Sequence, residues 1–422
     1  MNRPPLPKAA DAVIVGAGIS GLACARRLVE KGRDTLVVDS ADAVGGRIRT
    51  DEVDGFLLDR GFQVLLTAYE EFQKQFDPTD LDLKRFTPGS VVWTGGSLEV
   101  LGDPFRNPAS ALASARARVG SIDDKLRVAR LRRQLLSSPA EAAFEGTDRS
   151  TLDELRSEGF SDDFIDTFFR PFMGGVFLER ALETSARLFR YYFRCFAEGD
   201  AAIPARGMQR LPEQLAQPLQ DRVLLNTTVR DVKSGRVTLD DGSEIRTNDI
   251  VLATDAQSAA HLRRSIAPDF KATVTSYFAA PEAPISAAML VLDGEGSGPA
   301  NHVAVMSNVS VAYAPEGQHL IAVSGVDAAA DDPDGFPADA RSQLERWFGP
   351  AVDGWEHLKT YHIPHALPKH PVGFAASRAP RRDEPGIWVT GDYTDFGAIQ
   401  GALRSGRTTA EAILETERRE SS

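Results

Sequence analysis

Cysteine is scarce in this 422-residue sequence, which has only Cys24 and Cys195. Two thiols so far apart in sequence exclude a disulfide framework and also a metal site built from several thiolates. Reduced thiols are typical of the cytoplasm, and we therefore expect a cytoplasmic protein.

Long apolar runs and an excess of positive charge are missing as well. No stretch reaches about eighteen uninterrupted apolar residues, and the first eleven residues lack an apolar core, so we expect neither export nor a membrane span. The net charge of -12 and the isoelectric point near 5.2 disfavour nucleic acid as a partner. With 42% hydrophobic and 26% charged residues, the composition is that of a globular protein.

The arrangement of apolar segments predicts an α/β fold with two domains, because the chain is about twice the usual domain length. Strand, glycine-turn and helix patterns recur at the start, middle and end of the chain. Segments rich in arginine, aromatic residues and proline separate them. We predict a Rossmann-like domain formed by 1–85, 203–262 and 365–422, and a discontinuous α+β domain formed by 86–202 and 263–364.

The hexapeptide GAGISG follows the apolar strand 12–15 and precedes a helix. Gly16 permits a tight turn, Gly18 lets main chain approach a pyrophosphate, and Gly21 lets the helix pack closely on the strand. The helix N-terminus offers unpaired N–H groups to the phosphates. Asp39 follows the next strand, where a ribose hydroxyl needs an acceptor. The spacing predicts a dinucleotide site.

A second glycine turn favours FAD over NAD as the dinucleotide. Gly45 and Gly46 precede Arg47, whose guanidinium can meet phosphate oxygens in a bidentate manner. A plain NAD domain has no need of this turn. Gly61 supplies a third close approach, where a flat ring can lie against main chain.

Five stretches together resemble the FAD-binding framework shared by flavin amine oxidases, protoporphyrinogen oxidases and phytoene-type desaturases. They are GAGISG, GGRIRT, LLDRGFQ, GMQRLPEQLA and VTGDYTDFGAIQGALRSG. They occur at the front, middle and end of the chain, so the resemblance spans most of its length. It implies that the Rossmann-like domain binds FAD and that the α+β domain binds substrate.

The resemblance also implies which residues bind the cofactor. The pyrophosphate would lie on Gly16, Gly18, Ser20 and Gly21, and the adenosine ribose on Asp39. Arg47 and the backbone of Gly61, Phe62 and Gln63 would approach the flavin, Val229 the adenine, and Asp392 the ribityl or phosphate region. The neighbouring residues of the predicted set are Ala17, Ile19, Ser40, Gly45, Gly46 and Gly391.

The C-terminal helix adds a physical argument about the flavin ring. Gly401 and Ala402 begin this helix, and its positive end would favour the anionic reduced form of an isoalloxazine. Some amine oxidases attach the flavin to a C-terminal cysteine, but no cysteine follows Cys195. We therefore expect FAD to be held non-covalently.

Aromatic residues are concentrated in two segments, FIDTFFRPFMGGVF and LFRYYFRCF. They line an apolar substrate chamber in one interpretation and form ordinary core in the other. The nine aromatic residues concerned are Phe168, Phe169, Phe172, Phe177, Phe189, Tyr191, Tyr192, Phe193 and Phe196.

Residues 121–136 form a basic amphipathic helix, which predicts either contact with an anionic membrane surface or a solvated face. Further along, Thr151 and Glu154 suggest a capping box.

Histidines and a lysine occupy the segment YHIPHALPKHPVGF. His362, His365 and His370 do not predict a metal site, because no acidic residue or cysteine accompanies them and two prolines prevent helical alignment. Amine oxidases often hold a lysine near flavin N5, so Lys369 is a candidate catalytic residue, with a surface lysine as the alternative.

These observations predict an FAD-dependent oxidoreductase that removes a hydride from a hydrophobic small molecule, in the manner of protoporphyrinogen oxidases and desaturases. One alternative is an amine oxidase that releases hydrogen peroxide. Another is a flavin-binding subunit without turnover. The sequence leaves the electron acceptor and the oligomeric state open.

Overall fold

The computed structural model describes residues 6–265, 267–374 and 380–420. These residues form twenty β-strands and thirteen α-helices. In the first half of the chain the strands are β1 (Ala9–Val15), β2 (Thr35–Val38), β3 (Thr50–Val53), β4 (Phe56–Asp59), β5 (Leu65–Leu66), β6 (Leu83–Arg85), β7 (Gly89–Trp93), β8 (Leu98–Gly102), β9 (Ala201–Pro204) and β10 (Val223–Leu224).

In the second half the strands are β11 (Val229–Lys233), β12 (Arg236–Leu239), β13 (Glu244–Leu252), β14 (Phe270–Ala280), β15 (Leu290–Asp293), β16 (His302–Val305), β17 (His319–Val326), β18 (Glu356–Pro368), β19 (Arg381–Glu384) and β20 (Ile387–Val389). The helices are α1 (Ile19–Glu30), α2 (Glu70–Gln75), α3 (Ala111–Arg116), α4 (Ile122–Leu136), α5 (Thr151–Ser157), α6 (Asp162–Phe164), α7 (Arg170–Phe177), α8 (Ala186–Glu198), α9 (Arg210–Ala216), α10 (Ala256–Arg263), α11 (Met306–Val309), α12 (Phe336–Phe348) and α13 (Ile399–Glu420).

An eight-stranded sheet carries the N-terminal motif. Its centre is parallel, with β10, β2, β1, β13 and β20 side by side, and β11, β12 and β19 pair antiparallel at its flanks. Strands buried on both faces read as continuous apolar runs, as β1 and β2 do. This arrangement confirms the predicted α/β class with a Rossmann-like unit.

Helices α1 and α13 pack together beside this sheet, although they lie at opposite ends of the chain. The close approach depends on Gly406, because a Cβ atom there would lie 2.1 Å from the carbonyl oxygen of Ser20. Residues from the N-terminal and the C-terminal part of the sequence are thereby brought together beside the parallel strands, where a ligand can contact both.

A second, seven-stranded sheet has the order β18, β14, β17, β16, β15, β7 and β8. Apart from the last residues of β18, its strands come from 86–202 and 263–364. The division of the chain into two domains at those boundaries remains a prediction. Among the described residues, no helix is both long and apolar enough to cross a bilayer.

Candidate active site

A cleft of about 810 Å³ opens where the parallel strands β1 and β2 end. Sixteen of the nineteen predicted cofactor-binding residues line it, drawn from separate parts of the sequence. They are Gly16, Gly18, Ile19, Ser20, Asp39, Ser40, Gly45, Gly46, Arg47, Gly61, Phe62, Gln63, Val229, Gly391, Asp392 and Ala402. Ala17, Gly21 and Gly401 do not line it, and they contribute through the backbone.

The glycines around α1 form a cradle with space for an anionic group. A Cβ atom on Gly18 would meet nothing within 4 Å, whereas one on Gly21 would lie 2.1 Å from the carbonyl oxygen of Gly16. Gly16 itself has φ +113°, a conformation that favours glycine. Gly18 is the N-cap of α1 and has no side chain to occupy the first N–H groups of the helix. The cradle therefore fits the pyrophosphate of FAD.

Asp39 is held beside this cradle by main-chain donors. Its carboxylate accepts hydrogen bonds from the backbone N–H of Ala17 at 2.6 Å and of Ala41 at 2.8 Å. Ala17 thus belongs to the site through its amide and not through its side chain. A carboxylate can accept further hydrogen bonds, so Asp39 remains able to accept one from a ribose hydroxyl.

An ion pair connects two residues of the cleft that are far apart in the sequence. Arg47 Nη2 lies 2.6 Å from Asp392 Oδ1, and Arg47 Nη1 donates to the carbonyl oxygen of Ala366 at 2.7 Å. Gln63 donates to the carbonyl oxygen of Arg47 at 2.9 Å. The predicted flavin-side residues Arg47, Gln63 and Asp392 therefore form one connected group.

A buried carboxylate supports the loop that carries Gly61 and Phe62. Asp59 accepts hydrogen bonds from Thr50 Oγ1 at 2.6 Å, from the backbone N–H of Met208 at 2.9 Å and from Tyr313 Oη at 2.8 Å. Burial raises the pKa of Asp59 to about 6, although these hydrogen bonds oppose the shift. Sequence reasoning quoted the motif that contains Asp59 but assigned this residue no role.

Gly401 acts in packing within the first turn of α13. A Cβ atom at this position would lie 1.9 Å from the carbonyl oxygen of Phe396, so only glycine allows this turn. The helix begins two residues earlier than predicted, at Ile399. Ile399 and Ala402 line the cleft and place the N-terminal end of α13 beside it.

A second cavity, of about 690 Å³, adjoins the cleft. We call it the aromatic cavity, because phenylalanine and tyrosine side chains from several elements line it. Six residues line both spaces, and one of them, Phe62, is among the residues predicted to approach the flavin. The six are Phe62, Val64, Leu178, Leu367, Ala398 and Ile399.

The nine predicted chamber aromatics divide between the aromatic cavity and the core. Five line the cavity, namely Phe168, Phe172, Tyr192, Phe193 and Phe196. Phe169, Phe177, Phe189 and Tyr191 are buried in the core instead. In the first segment, the rings of Phe168 and Phe172 stack with 5.4 Å between centroids and share the side that faces the cavity, whereas Phe169 is fully buried. Phe164, the first residue of the segment FIDTFFRPFMGGVF, also lines the cavity, and Tyr69, Phe86 and Phe105 add to the aromatic lining without a sequence signal.

Lys369 is exposed and lines neither space, so the structure does not bring it to the other predicted site residues. The adjacent His370 is buried, and its Nε2 accepts the backbone N–H of Gly397, which lines the aromatic cavity. Burial lowers the pKa of His370 to about 4. Within the described residues, no three His, Cys, Asp or Glu side chains are grouped so as to hold a metal ion.

Comparison with known proteins decides the family. The model of the flavin containing amine oxidoreductases matches residues 19–414, which is nearly the whole chain. The protein belongs to this family. Its members carry out redox chemistry on a flavin, and this flavin amine oxidoreductase is therefore an FAD-dependent oxidoreductase.

Curated relatives match shorter segments. Protoporphyrinogen oxidase 2 of Arabidopsis thaliana is 25% identical over 39% of this chain and 32% of its own length. Putrescine oxidase of Kocuria rosea is 38% identical over 20% of this chain and 18% of its own. Carotenoid 3,4-desaturase of Haloarcula japonica is 34% identical over 22% and 20%. The matched segments thus span less than a third of each relative.

Solved structures match the fold over its whole length. Putrescine oxidase bound to putrescine superposes with a TM-score of 0.70 at 20% identity and covers 96% of this chain and 99% of that one. Cyclohexylamine oxidase from Brevibacterium oxydans gives 0.66 at 18% identity, with 97% and 100% covered. These similarities show that this flavin amine oxidoreductase has the fold of the family.

Proposed function

We propose that this enzyme oxidises a hydrophobic small molecule, in the manner of protoporphyrinogen oxidases and desaturases, by removing a hydride from a C–H bond flanked by unsaturated carbon or nitrogen. The observation that carries this proposal is the aromatic cavity, which meets the cleft at Phe62 and Ile399, and Phe62 is one of the residues predicted to approach the flavin. A cavity of this size and lining suits a substrate with a large apolar surface.

The charges around the aromatic cavity support an apolar substrate. Among the described residues that line it, Asp103 is the sole carboxylate, and it lies 3.7 Å from the guanidinium of Arg132. An ammonium group that entered the cavity would lose its contact with water and would find no carboxylate there to pair with. Burying an unpaired charge in this way is costly. A diamine such as putrescine is therefore a poor fit.

In the reaction, the protein chain itself binds the cofactor and the substrate, orients them relative to each other and excludes water. FAD, when bound, supplies the hydride acceptor, so the protein needs few reactive side chains. We propose that the sixteen predicted residues that line the cleft contact FAD, with Asp39 toward the ribose and Arg47 with Asp392 toward the flavin side. The aromatic lining would hold the substrate against the junction and keep water from it.

Oxidation of an amine with release of hydrogen peroxide is the second candidate. It is favoured by the similarity to putrescine oxidase in sequence and in fold. Family membership favours either of these reactions over a flavin-binding subunit without turnover.

Anaerobic reduction of the FAD-loaded enzyme separates the candidates. We would follow the visible flavin absorbance with 1,2-dihydronaphthalene as the apolar donor and with putrescine as the polar amine. Bleaching by an apolar donor but not by putrescine supports the proposal. Faster bleaching by putrescine, with peroxide on admission of air, would establish the second candidate instead.

A blocked cavity provides a matched pair of variants. Ala129 lines the aromatic cavity from α4, so Ala129→Trp would fill space that the substrate needs. Ala338 is exposed on α12, so Ala338→Trp is the same change away from the cavity. We expect A129W to retain FAD and to lose turnover of apolar donors at least tenfold, whereas A338W keeps both. Equal activity of the two variants would contradict a substrate role for the cavity.

We also propose that the mouth of the aromatic cavity lies on a membrane surface. By the mouth we mean the three large apolar residues that line the cavity and are also exposed at the surface. They are Phe105, Ile122 and Leu126, whose exposed fractions are 58%, 70% and 63%. The exposed Arg133 lies on α4 together with Ile122 and Leu126, and the exposed Arg116 ends the preceding helix, α3. Exposed apolar residues beside cations fit an interface with anionic lipid, in a chain that is otherwise acidic.

Sedimentation with vesicles tests this contact. We expect the enzyme to co-sediment with phosphatidylglycerol vesicles more than with phosphatidylcholine vesicles, and the double variant Ile122→Asp, Leu126→Asp to remain in the supernatant. Val311 is 85% exposed and does not line the cavity, so Val311→Asp is the control. Wild-type binding that is unchanged by the double variant would show that the mouth is not the docking surface.

A further inference from the structure

His302 is a buried polar residue in the wall of the aromatic cavity, and the mechanism described above does not use it. It begins β16, is 4% exposed, and lines the cavity. Its ring packs edge-on against Phe62, with 4.9 Å between ring centroids. Since Phe62 lines both the cleft and the cavity, His302 lies near the junction where the substrate would meet the flavin.

Neighbouring side chains determine which nitrogen of His302 carries the proton. Arg180 Nη1 donates to Asn301 Oδ1 at 3.2 Å, which fixes the orientation of the Asn301 amide. The amide nitrogen is consequently directed to the carbonyl oxygen of Pro171 at 2.8 Å and to His302 Nδ1 at 3.2 Å. Nδ1 therefore accepts a hydrogen bond, and in the neutral ring the proton is on Nε2.

Burial keeps this ring neutral. It lowers the pKa of His302 from its ordinary value of 6.5 to about 4. At neutral pH the side chain is thus a fixed N–H donor without a charge.

In the part of the chain that the structure describes, this donor has no protein acceptor. Within residues 6–265, 267–374 and 380–420, His302 Nε2 is a buried polar atom with no hydrogen-bond partner. A buried donor left without an acceptor carries a desolvation penalty, and such groups are rare in folded proteins. His302 lines the cavity and its Nε2 is itself almost inaccessible, so a molecule that binds there and slightly displaces the cavity wall can supply the acceptor.

We propose that His302 is a specificity-determining residue whose Nε2–H donates a hydrogen bond to an oxygen acceptor, a carbonyl or a hydroxyl, on an otherwise apolar substrate. This inference rests on the proposed function of the aromatic cavity. A neutral N–H donor attracts an oxygen lone pair and repels an ammonium group. The wall of the cavity therefore selects substrates that carry one oxygen near the carbon to be oxidised.

Two probes of nearly the same shape test the selection. Phenylcyclohexane and 4-phenylcyclohexanone differ by one carbonyl oxygen, and calorimetry with the FAD-loaded enzyme gives the affinity for each. We expect the wild-type enzyme to bind the ketone about tenfold more tightly, as one buried hydrogen bond predicts. A water molecule that already satisfies Nε2 would leave the two affinities equal, and this result would overturn the proposal.

Two variants of His302 test whether its Nε2–H donor causes the preference for the ketone. His302→Phe keeps the aromatic ring and removes the donor, so we expect the affinity ratio to fall to about one while the hydrocarbon still binds. His302→Gln places an amide N–H close to the position of Nε2 and should restore much of the ratio. A ratio that is unchanged in H302F would refute the proposal, whereas a purely structural histidine would alter both affinities together.

The tautomer provides a readout that does not depend on ligand binding. Nitrogen-15 spectra of histidine-labelled protein, assigned by comparison with H302F, should show a neutral ring with Nε2 protonated. A proton on Nδ1 would contradict the inference directly. If neither probe binds the wild-type enzyme, the proposed function of the cavity fails, and the labelled spectrum still decides whether His302 presents a donor.

Discussion

The substitution Gly18→Ser should separate folding from cofactor binding. A Cβ atom at this position meets nothing within 4 Å, and the backbone angles of φ -70° and ψ 171° suit any residue at a helix N-cap. Serine is a better N-cap than glycine, so we expect the FAD-free protein to be as stable as the wild type or more stable by a few tenths of a kcal/mol.

Binding of FAD should nevertheless weaken. The serine side chain would occupy the space that admits the pyrophosphate, and its Oγ would accept a helix N–H that a phosphate oxygen needs. Loss of one charge-assisted hydrogen bond costs about 2 kcal/mol, which corresponds to a dissociation constant about thirtyfold higher. Titration of FAD-free protein with FAD, followed by flavin fluorescence, measures this change.

The matched variant is Gly21→Ser, at the other end of the same turn. There the new Cβ atom would lie 2.1 Å from the main-chain oxygen of Gly16, so the backbone must move. We expect thermal unfolding to show a loss of more than about 3 kcal/mol. The reasoning is refuted if G18S binds FAD as tightly as the wild type, or if it is destabilised as much as G21S.

Three further predictions concern charged and titratable groups. Asp392→Asn removes the 2.6 Å ion pair with Arg47 and should raise the dissociation constant of FAD about tenfold by the same titration, with unchanged FAD binding as the contrary result. Glu71 is 1% exposed and accepts two hydrogen bonds of 2.8 Å from Arg407, which help to lower the pKa of this carboxyl group although burial opposes the shift. The variant E71Q should therefore lose about 3 kcal/mol of unfolding free energy at pH 7. The loss should become smaller as the pH falls below about 4.5, where Glu71 of the unfolded wild type is itself protonated. Burial lowers the pKa of His370 from 6.5 to about 4, so the unfolding free energy of the wild type should fall as the pH drops from 6.5 towards 4. In urea titrations, H370Q should remove up to about 3 kcal/mol of that fall. An identical pH dependence in H370Q and the wild type would contradict this expectation.

Local signals explain why the phosphate end of the site was predictable. The turn at Gly16, the N-cap at Gly18 and the acidic residue at Asp39 all depend on a strand, a helix and a strand that are consecutive in sequence. Here spacing alone places the residues in space, since parallel strands end at the same edge of a sheet.

The wall of the aromatic cavity was not predictable in the same way. His302 is a single histidine in a strand, and the role that we propose for it depends on the orientation that Arg180 imposes on Asn301 from a distant part of the chain. Lys369 follows the end of β18, and its exposure depends on how the chain leaves that strand.

The predicted cap of α5 was wrong by one residue. Ser150 is the N-cap and accepts a hydrogen bond from the backbone N–H of Asp153, whereas the Thr151 hydroxyl donates to the carbonyl oxygen of Thr184. Two adjacent hydroxyl residues fit the cap pattern equally well, and a tertiary contact selects between them.

The central claim is that the aromatic cavity opens onto the flavin. It is tested most directly by saturating the FAD-loaded enzyme with phenylcyclohexane, shown by calorimetry to bind, while recording the visible flavin spectrum. Because Phe62, Leu367 and Ile399 line both spaces, a bound hydrocarbon should displace water near the ring and shift the absorption bands, and A129W should abolish the shift. Saturable binding that leaves the flavin spectrum unchanged would contradict the account.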